Sequence, residues 1–165
     1  MNHDAYPNSY ILGLLRQVKT IAMVGASANW NRPSFFAMKD LQEKGYRVIP
    51  VNPTIAGQEL LGETVYASLS AIPERFDMVD VFRNSEAAPA IVEEAIALKA
   101  AKGISVIWMQ LGVRHDAAAA KAEAAGLQVV MNRCPKIEWG RLNAELSWGG
   151  FDSGVISAKR RKLRT

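Results

Sequence analysis

The sequence has one cysteine, Cys134, and two histidines, His3 and His115, among its 165 residues. A single thiol excludes an internal disulfide framework and fits a reducing compartment. Two distant histidines and one cysteine give no metal-ligand spacing. No apolar run approaches the ~20 residues of a membrane span, and the opening Met1-Asn2-His3-Asp4 lacks the basic segment of a secretory leader, so a soluble, cytoplasmic protein is expected. The dinucleotide fingerprint G-x-G-x-x-G is absent as well. So is a basic body: the formal charge is +4, but Lys159, Arg160, Arg161, Lys162 and Arg164 crowd the last seven residues. Without those five, the twenty basic residues fall to fifteen against sixteen acidic, a net of −1. Nucleic acid is therefore not an expected partner, and the run of like charges reads as a solvated tail.

What is present is an apolar chain, 49% hydrophobic, long enough for one domain with a continuous core. Its organising stretch is Thr20-Ile21-Ala22-Met23-Val24-Gly25-Ala26-Ser27, followed by Asn29-Trp30-Asn31-Arg32-Pro33-Ser34. Thr20 to Val24 shows no polar alternation, as expected of a parallel strand buried on both faces. Gly25-Ala26-Ser27 lets the backbone turn and approach a ligand, and Pro33 suits the first turn of a helix. Free amides around Ser34, the helix dipole and Arg32 together make an anion site, the alternative being an ordinary strand-to-helix loop.

Before this stretch, residues 1–19 form an N-terminal helix (Ser9 to Lys19) expected to cover a sheet edge. After it, helical spacing of Phe35, Phe36, Met38 and Leu41 ends at Gly45, and a second strand runs from Tyr46 to Val51 into Asn52-Pro53. A short third strand is expected around Thr64-Val65-Tyr66, a fourth from Phe76 to Phe82, a fifth from Ile104 to Met109 and a sixth from Leu127 to Met131. Helices are expected over Glu86 to Lys102, Asp116 to Ala125 and Lys136 to Leu146, the first capped by Asn84 or Ser85. Alternating strands and helices make right-handed βαβ units, so the fold class is α/β, a Rossmann-like doubly wound parallel sheet in a single domain spanning 20–148. Residues 149–165 read as a loose segment ending in the basic tail.

In open sheets of this class, ligands bind at the carboxyl ends of the strands. Those ends carry Gly25 and Ser27, Asn52, Arg83, Gln110 and Gly112, and Asn132 with Cys134. The set is small, polar or cationic, with no terminal carboxylate or histidine, which favours binding over catalysis. A NAD site expects Asp or Glu where this chain has Asn52-Pro53, and no arginine follows to take the extra phosphate of NADP. A NAD(P)-linked oxidoreductase-like domain, or another binder of adenine nucleotides, nonetheless shares the fold and stays open.

The ordered combination Val24-Gly25-Ala26-Ser27, Arg32-Pro33-Ser34, Gly45 to Pro53, Val81-Phe82-Arg83, Trp108-Met109-Gln110-x-Gly112 and Asn132-Arg133-Cys134-Pro135 resembles the CoA-binding protein family. That family is a stand-alone relative of the nucleotide-binding domain in the alpha subunit of succinyl-CoA synthetase. The resemblance implies coenzyme A, or an acyl-CoA, held with Gly25, Ala26, Ser27, Arg32, Pro33 and Ser34 on phosphates and Asn52-Pro53 near the adenosine. It further implies Arg83, Gln110 and Gly112 along the same crevice, and it carries over no reaction.

Trp108 reads as core, and Trp139 and Trp148 as anchors of the C-terminal wrap. His115 reads as a solvated helix-cap residue, and His3 as part of a frayed terminus. Cys134 has two readings: a small buried thiol, or one that Arg133 and a neighbouring CoA thiol make competent for disulfide exchange.

Overall fold

The computed structural model describes residues 1–148, with side chains as far as Asn143. The basic tail, the 149–165 segment and the side chain of Trp148 lie outside the described residues. Five strands form one parallel sheet: β1 (Thr20–Val24), β2 (Arg47–Val51), β5 (Met78–Val81), β6 (Val106–Met109) and β7 (Gln128–Val130), in the order β2-β1-β5-β6-β7. The neighbours of β1 fix its register, with Val24 opposite Val51 on one side and Val81 on the other.

The apolar strand runs are buried on both faces, because helices cover both. On one side α1 (Asn8–Gln17), α2 (Pro33–Glu43) and α5 (Pro135–Trp148) place Ile11, Leu14, Met38, Leu41 and Trp139 against Met23, Met78 and Trp108. On the other, α3 (Ala88–Lys102) and α4 (Asp116–Ala124) set Val92, Ala95, Ala119 and Ala122 against Val79, Ile107 and Val129. Alanine-rich helices approach the sheet closely here without leaving voids.

The N-terminal segment covers the β7 edge as expected, and does so through tyrosines. The Tyr10 hydroxyl donates to Val129 O at 2.9 Å and accepts from Val129 N at 3.1 Å, while Tyr6 accepts from Met131 N at 2.8 Å. These bonds satisfy edge groups that no strand pairs. His3 is therefore not frayed: it sits 2.7 Å from the Tyr6 hydroxyl and 2.6 Å from Glu123 Oε1, its side chain 8% exposed. Trp139 is fully buried and donates to the Tyr46 hydroxyl, anchoring α5.

The expected third strand takes a different form. β3 (Glu59–Leu60) and β4 (Glu63–Thr64) make a small antiparallel hairpin; Glu63 is tied to Arg47 of β2 by its side chain, and Tyr66 makes a single parallel bridge to Val51. Two-residue arms supply too few ladder bonds for a sixth member of the sheet, although Leu60 reaches the core.

Candidate functional site

The strand order reverses between β1 and β5, and the residues leaving those strands make a crevice at the carboxyl edge. Gly25 is the pivot. Its φ is +91°, and a Cβ there would lie 2.2 Å from the carbonyl oxygen of Phe82, so only glycine lets the loop after β1 pass this close to β5. Beyond it the loop is held by short-range bonds: Asn29 N donates to Ser27 Oγ, Asn31 N to Asn29 Oδ1, and Arg32 N to Asn29 O. α2 then opens with Pro33 in its first turn and no side chain capping its amides. Such an uncapped end offers N–H donors and the positive pole of the helix to an anion.

The crevice has two lobes that share Gly25 and Asn52. The smaller, about 260 Å³, is lined by Ala26, Ser27, Arg32, Pro33, Ser34 and Phe82. The larger, about 520 Å³, is lined by Pro53, Thr54, Ala67, Ser68, Arg83 and Glu94. Among the described residues the side chains of Arg32 and Arg83 make no hydrogen bond or ion pair, whereas those of Arg47, Arg114 and Arg141 all lie on carboxylates. Two unpaired guanidiniums therefore face one crevice beside an uncapped helix end.

Asn52 plays a structural part. Its amide donates to Ala26 O at 2.8 Å, and its side-chain oxygen accepts from Thr54 N at 2.9 Å, so it ties the loop after β1 to the 3₁₀ turn Pro53–Ile55. Nine expected site residues, Gly25, Ala26, Ser27, Arg32, Pro33, Ser34, Asn52, Pro53 and Arg83, thus line the two lobes.

Gln110, Gly112 and Cys134 line neither lobe. Gln110 is 4% exposed and its amide points inward, donating to Asp80 Oδ1 at 2.7 Å. Gly112 N donates to Asn132 Oδ1, which stitches the loop after β6 to the end of β7. Cys134 is half-buried at the start of α5, where its carbonyl accepts from Glu138 N. The guanidinium of Arg133 lies 5.1 Å over the Tyr6 ring and donates to the carbonyl oxygens of Asn132 and Asp4. The cation expected to activate the thiol is engaged there. His115 caps α4 as expected, its Nδ1 accepting from Ala118 N.

Two acidic residues were not anticipated. Asp80, one position inside the end of β5, is fully buried; among the described residues its carboxyl has Gln110 as its one hydrogen-bond partner, and its second oxygen has none. Burial pushes its pKa up to about 7, the Gln110 bond opposing the shift in part. The lone charge within Met78-Val79-Asp80-Val81 was the available signal. The other is Glu94, which enters the larger lobe from α3 and carries no sequence signal of its own. Among the described residues no group of three or more His, Cys, Asp or Glu side chains is placed to hold a metal ion, and no helix is long and apolar enough to cross a membrane.

A parallel sheet with a glycine-pivoted loop at its switch point defines a Rossmann-like α/β domain. Residues 19–140 match the model of a family described as a CoA binding domain, and the chain belongs to that family. The chain is 38% identical over 124 residues to the uncharacterized protein YneT of Bacillus subtilis (strain 168), covering 75% of this chain and 87% of that protein. It is 32% identical over 93 residues to the alpha subunit of an ADP-forming acetate–CoA ligase from Pyrococcus furiosus, covering 54% of this chain and 19% of the subunit. The solved structure of a hypothetical protein from Pyrococcus horikoshii OT3 superposes with a TM-score of 0.77 at 38% identity, over 86% of this chain and 96% of that one.

Proposed function

We propose that this crevice binds coenzyme A, free or as a thioester, as a ligand that it does not transform. The observation that carries the reading is the pair Arg32 and Arg83, whose guanidiniums have no partner among the described residues and which line the two lobes that share Gly25. Both side chains are exposed and free to turn onto a ligand anion, and a guanidinium grips a phosphate well through bidentate contacts. In this reading the diphosphate lies over Gly25 to Ser34 and the adenosine fills the larger lobe. The pantetheine arm then runs across the ends of β5 and β6 towards Gln110, Gly112 and Cys134.

Thermal denaturation with coenzyme A, NAD and NADP at equal concentration tests it. A ligand at about 100 times its Kd stabilises the native state by about 2.7 kcal/mol, so coenzyme A is expected to raise Tm clearly and the other two less. Arg32→Ala and Arg83→Ala are expected to weaken coenzyme A far more than adenosine. Equal or greater stabilisation by NAD, or unchanged coenzyme A affinity in both variants, overturns the reading.

A further inference from the structure

The larger lobe contains a carboxylate and a guanidinium that do not close on each other. Glu94, half-buried on α3, accepts through Oε1 from Leu69 N at a long 3.4 Å, and its other oxygen has no partner among the described residues. The guanidinium of Arg83 lines the same 520 Å³ space with no partner among the described residues. A lobe of this size accommodates a nucleoside. In open α/β sites the group that reads the ribose is usually a carboxylate at the end of the second strand. Here that position is Asn52, and both its oxygen and its amide are spent on Thr54 N and Ala26 O. The acceptor facing the lobe is instead brought in from α3.

We propose that Glu94 reads the ribose: its carboxylate accepts from a free 2′-hydroxyl, while Arg83 takes a phosphate on the adjoining 3′ position. The proposal rests on the coenzyme A reading and narrows it to nucleotides phosphorylated at 3′. An ionised carboxylate has only acceptors, so it welcomes a hydroxyl and repels a phosphate. A hydroxyl next to a phosphate suits an acid and a guanidinium held apart. A 2′-phosphate would meet the acid.

Adenosine 3′,5′-bisphosphate and adenosine 2′,5′-bisphosphate test this, since they share formula and charge and differ only in which hydroxyl carries the phosphate. Their affinities are read by calorimetry on the full chain, with coenzyme A as competitor to confirm the shared site. The wild type is expected to prefer the 3′,5′ isomer by about tenfold or more, the scale of one like-charge contact near a protein surface. Glu94→Gln keeps an acceptor for Leu69 N and adds a donor, so the ratio is expected to fall to about twofold while the fold is retained. Arg83→Met is expected to weaken the 3′,5′ isomer at least as much as the 2′,5′ isomer. Equal binding of the isomers by the wild type, or a ratio unmoved in Glu94→Gln, overturns the role of Glu94 while coenzyme A still binds. Failure of coenzyme A and both isomers to bind overturns the ligand reading and this proposal with it.

Discussion

Replacing Asp80 by asparagine should turn a pH-dependent stability into a flat one. In the unfolded chain this carboxyl ionises near its ordinary 3.8, whereas in the fold it keeps its proton up to about 7. Between those values the native state holds a proton that the unfolded state has lost, so stability falls as pH rises. Each unit is worth about 1.4 kcal/mol, and the interval of about three units amounts to roughly 4 kcal/mol. Below the interval the carboxyl is neutral in both states, and above it both are ionised and the full deficit persists. Asp80→Asn keeps an oxygen for the Gln110 amide and abolishes the titration. Its own cost, an amide N–H where Asp80 has an unpartnered oxygen, is about 1–3 kcal/mol and does not vary with pH. Urea unfolding of both proteins near pH 5 and near pH 8 isolates the effect, because the other carboxylates cancel in the difference. The stability of the variant relative to wild type is expected to rise by about 3 kcal/mol from the lower pH to the higher. A difference that stays constant, or falls, would refute the buried neutral carboxyl.

Gly25→Ala forces a Cβ to 2.2 Å from Phe82 O at a φ of +91°. The loop must move, and a loss of about 2–4 kcal/mol in urea unfolding together with loss of coenzyme A binding is expected; an unchanged midpoint would contradict the close approach. At Cys134, mild peroxide with bound coenzyme A is expected to give a mixed disulfide. The two thiols lose two protons and two electrons, and the peroxide is reduced to water. Intact mass should show one added coenzyme A that dithiothreitol removes and that Cys134→Ser lacks; bound ligand without adduct returns Cys134 to a packing role.

The fold was legible because its strands are unbroken apolar runs closed by glycine or a polar residue, and its helices repeat at helical spacing between them. Strand ends came out shorter than read. Phe76 and Phe82 flank β5 as packing residues, but the ladder holds only Met78 to Val81. The hairpin was missed because its turn is Leu61-Gly62, with Leu61 at a φ of +49°, instead of the Asn-Gly or Asp-Gly that marks such turns.

The site shows where pattern reading stops. The loop from Gly25 to Ser34 and Arg83 were accessible, since glycine, proline and arginine at a strand end have few other uses. Glu94 was not, because it stands on α3 beside the core residues Val92 and Ala95, and only the placement of that helix, with Leu69 N on its carboxylate, brings Glu94 to the larger lobe. Asn52 and Gln110 raise a different difficulty: both follow strands as read, but the protein uses their polar groups itself. A strand-end amide answers first to the nearest buried group left unsatisfied, since that group is destabilising by more than a solvated ligand contact is worth. Asp80 has this claim on Gln110, and Ala26 O has it on the amide of Asn52. Among the described residues the side chains of Arg32 and Arg83 face no such internal demand, and in the proposed reading they, with Glu94, are the groups left to meet a ligand.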